Sequence, residues 1–160
     1  MQEDGCVFCK IARNEAPSWR VMEDKDYLAI LDVFPLVRGQ TVVMTKKHYD
    51  SYHFDLPDEV YAGLFLFAKK VGNKLDRGLK AQRAMLVAQG YAINHIHVKL
   101  FPVIKVNSTA VEQEEYDTLK TMLDRDWYGG YIVSMSGKKQ STKEELDVLL
   151  YEINSVGGAT

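Results

Sequence analysis

One stretch limits what this chain can fold into. Asn94-His95-Ile96-His97-Val98-Lys99-Leu100-Phe101-Pro102 alternates titratable or cationic side chains with apolar ones. A period of two is the signature of a strand with one buried face. Ile96, Val98 and Leu100 belong to the core side. His95, His97 and Lys99 are expected in a row on the other, successive members about 6.5–7 Å apart by strand rise. Such a row suits an anionic phosphate. A neutral imidazole, abundant near pH 7 because its reference pKa is about 6.5, can attack phosphorus and form a bond that water then cleaves. Lys99 can neutralise non-bridging oxygens. Gly90, just upstream, lets backbone approach a phosphate. The plainer reading of these residues is a half-buried strand with a polar outer face. The chain has only four histidines, so two on one strand face favours the chemical reading.

The rest of the chain supplies a frame for that strand. Cys6 to Arg13 suits a short helix ended by Pro17. Trp19 to Met22 and Tyr27 to Leu31 read as strands around a polar turn, and Thr41 to Thr45 as a β-branched central strand. A loop carrying Pro35 and Gly39 joins the last two. Pro57 opens a long helix with Asp58 and Glu59 in its first turn. Val60, Leu64, Phe67, Val71 and Leu75 give it one apolar stripe, and Gly78 is the expected stop. Ala84 to Ala88 is a further strand. After Pro102 come an expected helix over 112–126, a strand over 131–135, and a last helix from Lys143 to Asn154, with Ser141 and Glu144 as its capping box. The fold class is α+β: a mostly antiparallel sheet with one long and one short N-terminal helix, and a C-terminal helix-strand-helix extension. The expected division is 1–103 for the ligand-binding part and 104–160 for an extension packed on the same domain.

Composition excludes several functions. At 46% hydrophobic, 160 residues are enough to bury a core. A net charge of −2 speaks against a sequence-independent DNA or RNA binder. No signal peptide or membrane span is readable near the N-terminus, so a cytoplasmic chain without membrane attachment is expected. Two cysteines are too few for a secreted disulfide scaffold. Cys6-x-x-Cys9 leaves three readings open: redox chemistry, structural metal, or two buried free thiols. The redox reading expects a preceding strand, which is lacking. The metal reading needs two more ligands.

At this point the sequence resembles the histidine triad (HIT) superfamily of nucleotide hydrolases and transferases. The resemblance rests on His95-Ile96-His97-Val98-Lys99-Leu100-Phe101-Pro102, on Cys6-Val7-Phe8-Cys9-Lys10-Ile11, on Ala29 to Pro35, and on Gly39 to Val43 with Lys46-Lys47-His48-Tyr49. It covers roughly residues 6–103. The resemblance implies a homodimer and attack by His97 on the α-phosphorus of a purine nucleotide such as an AMP derivative. His95 would orient His97 through its backbone. Asp32 would accept from ribose hydroxyls, and Phe8, Ile30 and Val33 would form the base slot; read without it, these are a turn residue and core. The resemblance also implies a structural Zn2+ held by Cys6, Cys9, His48 and His95, with His53 as a rival ligand. Two departures stand out. The third histidine is Lys99, which keeps a charge but is a poor acid–base group near pH 7. The phosphate loop reads Gly90-Tyr91-Ala92-Ile93, without the amide and hydroxyl of the family. Two outcomes follow: hydrolysis of nucleoside phosphoramidates or dinucleoside polyphosphates, or nucleotide binding with weak or no turnover.

Overall fold

A computed structural model describes residues 5–90, 92–104 and 139–155. The expected helix over 112–126 and strand over 131–135 lie outside the described residues. The elements run α1 (Val7–Ala12), β1 (Arg20–Glu23), β2 (Tyr27–Leu31), β3 (Thr41–Thr45), a short 3-10 turn (His53–Asp55), α2 (Asp58–Leu79), β4 (Arg83–Val87), β5 (His97–Val103) and α3 (Lys143–Ser155). The five strands form one sheet in the order β1-β2-β3-β5-β4. Every neighbouring pair is antiparallel. This is the expected α+β architecture, with β3 at the centre.

The sheet buries both faces by different means. Ala29, Leu31, Val43, Val98 and Leu100 meet the α2 stripe of Leu64, Phe67, Ala68, Val71, Leu75 and Leu79. Fully burying such a leucine or valine stabilises by about 1.5–3 kcal/mol. Leu146, Leu149 and Ile153 of α3 join the same cluster. The opposite face carries Leu28, Ile30, Val42 and Met44, which pack against Cys6, Phe8, Cys9 and Ile11 of the α1 segment. Short α1 is therefore held by packing and not by its own hydrogen bonds, as expected of a six-residue helix.

Three local expectations change. Gly78 does not end the long helix. Lys80 does, in the left-handed region at φ 52°, with Ala81 N–H returning to the Asp76 carbonyl at 3.0 Å. Gly78 instead lies inside α2, where a Cβ would sit 2.6 Å from Ile153 Cα; its missing side chain is what lets α3 approach. The capping box shifts by one residue. Thr142 Oγ1 accepts from Glu145 N–H at 3.2 Å, and Glu145 Oε2 accepts from Thr142 N–H at 2.9 Å. Ser141 N–H turns away to the Val33 carbonyl at 2.9 Å. Finally, the histidine strand begins at His97, not Asn94. The backbone bends over Ala92 to His95, with Ala92 at φ 73°.

A candidate nucleotide pocket beside a four-ligand cluster

The late start of β5 separates two histidines expected to share a row. His95 lies in the bend and is wholly buried. Its Nδ1 is 3.4 Å from Cys6 Sγ and 3.5 Å from Cys9 Sγ. His48 Nδ1 is 3.3 Å from Cys9 Sγ. The four donor atoms of Cys6, Cys9, His48 and His95 all lie within 4.8 Å of one another. Tetrahedral zinc with S and N ligands at its usual bond lengths separates S from N by about 3.6 Å. One imidazole lone pair cannot accept from two thiols at full strength, yet both sulfurs crowd the same nitrogen. The His95 tautomer is fixed for ligation: its Nε2–H donates to the Thr45 carbonyl at 2.8 Å, so Nδ1 carries the lone pair. This donor set fits a closed structural metal site. The rival ligand His53 is elsewhere, with Nε2 3.2 Å from the His97 carbonyl.

His97 opens the other site. It is 5% exposed, and its Nδ1–H donates to the His95 carbonyl at 2.7 Å. That bond leaves Nε2 as the lone-pair nitrogen. Burial pushes its pKa below the ordinary histidine value; the His95 carbonyl opposes that shift, Lys99 and His53 add to it, and the Asp32 carboxylate opposes it weakly. The ring is therefore neutral near pH 7. Phe8 meets it edge-on at 5.3 Å between centroids.

A cavity of about 490 Å³ opens beside this ring. Asp32, Phe8, Ile30, Val33, His97 and Lys99 all line it. Register explains the assembly. Ile30 pairs with Val42 and Val42 with Lys99, while Met44 pairs with His97. One sheet face thus presents apolar Ile30 and Val42 beside His97 and Lys99, and Asp32 follows directly on β2. Alternation was legible in the sequence; that α1 would fold over this face to wall the cavity with Val7 and Ile11 was not. Gln140, from the C-terminal segment, also lines it and lay outside any motif. Gly90 is not among the described lining residues; at φ 73° it runs so close to Ser51 that a Cβ would be 2.5 Å from that carbonyl oxygen.

The polar end of the cavity differs from a simple row of cations. Asp32 Oδ1 accepts from Phe34 N–H at 2.9 Å. Asp32 Oδ2 accepts from Gln40 Nε2 at 2.6 Å and from Lys99 Nζ at 3.1 Å. Lys99 is thus paired with the carboxylate that sequence reasoning assigned to a sugar.

Comparison with known proteins agrees with this layout. The profile described as HIT domain matches residues 13–105. A HIT-like protein of Borreliella burgdorferi is 34% identical over 107 residues, covering 62% of this chain and 76% of that protein. The adenosine 5′-monophosphoramidase of Saccharomyces cerevisiae is 33% identical over 99 residues, 61% of each chain. The crystal structure of a Zn-bound histidine triad family protein from Mycobacterium smegmatis shares the fold, with TM-score 0.68 at 22% identity over 99% of both chains. Matched over more than half its length, and with the family's sheet carrying its histidine motif into a cavity, the chain belongs to the HIT domain family.

Proposed function

We propose that this chain is a hydrolase or transferase acting at the α-phosphorus of nucleoside phosphoramidates or dinucleoside polyphosphates. His97 is the nucleophile. Its Nε2 forms a bond to phosphorus while the bond to the leaving amine or phosphate breaks, and the leaving group takes up a proton from solvent water. Water then cleaves the phosphorus–nitrogen bond and releases the nucleoside monophosphate. The base lies in the slot of Phe8, Ile30 and Val33, and the sugar meets Asp32. The observation that carries the reading is the 2.7 Å bond from His97 Nδ1–H to the His95 carbonyl, made beside a cavity that also holds Asp32. It fixes both tautomer and aim. Incubation with adenosine 5′-phosphoramidate tests this. Release of AMP is expected from the wild type, with a loss of at least about 10³-fold in His97→Ala. An unchanged rate in that variant contradicts it.

The cofactor in this reading is one structural zinc on Cys6, Cys9, His48 and His95, supported by the donor spacing. Bound by these four residues, it would pin α1 to the sheet. The partner in assembly is a second copy of the chain. β4 is an edge strand with Met85 51% and Leu86 40% exposed, which is the kind of edge that natural proteins cover. Sedimentation velocity giving a dimer supports this; a monomer at all concentrations rules it out. A second reading, nucleotide binding with little turnover, is favoured by Lys99, whose ammonium is engaged with Asp32.

A further inference from the structure

In the row expected from sequence, Lys99 serves the phosphate. Its geometry points elsewhere. Lys99 and Asp32 form an ion pair at 3.1 Å with side chains only 18% and 10% exposed. Pairs this sheltered are screened little by salt and keep their geometry. The strand register sets Lys99 level with Val42 and Ile30, the apolar wall of the slot, one alternation beyond His97. Gln40 completes the arrangement. Its Oε1 accepts from Leu36 N–H at 2.8 Å, which turns Nε2 toward Asp32 Oδ2. Gln40 is 1% exposed, so that amide is held fixed against the carboxylate.

The acceptor count follows. A carboxylate offers about four lone-pair sites. Among the described residues, Phe34 N–H, Gln40 Nε2 and Lys99 Nζ occupy three of them. About one is left, on Oδ1, for a ligand. A ribose brings two vicinal hydroxyls, and a 2′-deoxyribose one.

We propose that Lys99 is a specificity-determining positioning residue of the sugar end. With Gln40 it clamps Asp32 so that the carboxylate accepts one sugar hydroxyl, the 3′-hydroxyl that both sugars carry, and the chain takes 2′-deoxynucleotides nearly as well as ribonucleotides. The inference rests on the nucleotide reading above. It moves Lys99 from the phosphorus to the sugar.

Calorimetric titration with AMP and with 2′-deoxy-AMP tests it without requiring turnover. Wild-type chain is expected to bind the two within about threefold of each other. Lys99→Met removes the clamp and frees an acceptor on Oδ2. A hydrogen bond to a charged acceptor corresponds to roughly tenfold or more in affinity, so the preference for AMP is expected to rise by about that factor. Lys99→Arg keeps a cation and is expected to stay near the wild-type ratio. Taking the ratio cancels any general loss of phosphate attraction. A wild-type preference for AMP above tenfold overturns the assignment. So does an unchanged ratio in Lys99→Met, which would return Lys99 to the phosphorus. In either case the nucleotide reading stands. Failure of the wild type to bind either nucleotide overturns both.

Discussion

His53 shows how much a single side chain can do away from the reacting atoms. The family resemblance makes it a rival metal ligand. In the fold it is buried, and its Nε2–H supports the His97 carbonyl. Its Nδ1 is buried without a hydrogen-bond partner among the described residues. Burial pushes its pKa below the ordinary 6.5, and the His97 carbonyl only partly opposes that. The consequence for stability has a definite sign. The unfolded chain takes up the proton near pH 6.5 and the folded chain only at lower pH. Stability present above pH 6.5 is therefore lost as the pH falls through the folded value. His53→Gln keeps a donor for the carbonyl and removes the titration. Urea unfolding from pH 7.5 to 5 is expected to show a shallower acid-side loss in this variant than in the wild type. His97 titrates in both chains, so the difference between them reports His53. Identical slopes would contradict the assignment.

At the scale of elements, legibility followed periodicity. The α2 stripe, the strands Tyr27–Leu31 and Thr41–Thr45, and the apolar side of β5 could all be read because their patterns repeat over several residues. Ends could not. Helix termination by Lys80 instead of Gly78 reflects tertiary packing: Gly78 is needed where Ile153 of α3 crosses. The strand limit at His97 moved because the Thr45 carbonyl and the two cysteine sulfurs, not the pleat, orient the His95 ring. The pairing of Lys99 with Asp32 was hidden for the same reason, since residues 67 apart meet only through sheet register. The α3 cap was off by one because both Ser141 and Thr142 satisfy the pattern locally, and Ser141 is claimed by Val33. That choice is testable. Thr142→Ala is expected to lower stability by about 0.5–2 kcal/mol, and Ser141→Ala by less, in chemical denaturation. The reverse order would place the cap at Ser141.

Across the molecule, two sites share one backbone link. His95 offers its ring to the cysteine pair and its carbonyl to His97. Phe8, carried between Cys6 and Cys9 on the α1 segment, touches both histidine rings. A metal on the four donors would therefore also hold the His97 tautomer and one wall of the cavity. Purified chain is expected to contain one zinc ion per protomer. Chelation, or Cys9→Ser, is expected to lower Tm by about 10 °C or more and to weaken AMP binding in parallel. A chelated chain with unchanged Tm would show that the cluster holds no structural metal. The α3 helix adds a second tie to this frame, through Trp19 Nε1–H to Asp147 at 2.8 Å and Arg38 to Glu152. The most direct measurement of the central claim is rapid quenching of the wild-type chain with adenosine 5′-phosphoramidate, followed by intact-mass and peptide analysis. An acid-labile adenylyl group on His97, absent from His97→Ala, is the predicted result. Turnover with the adduct on any other residue, or continuing undiminished in His97→Ala, would contradict it.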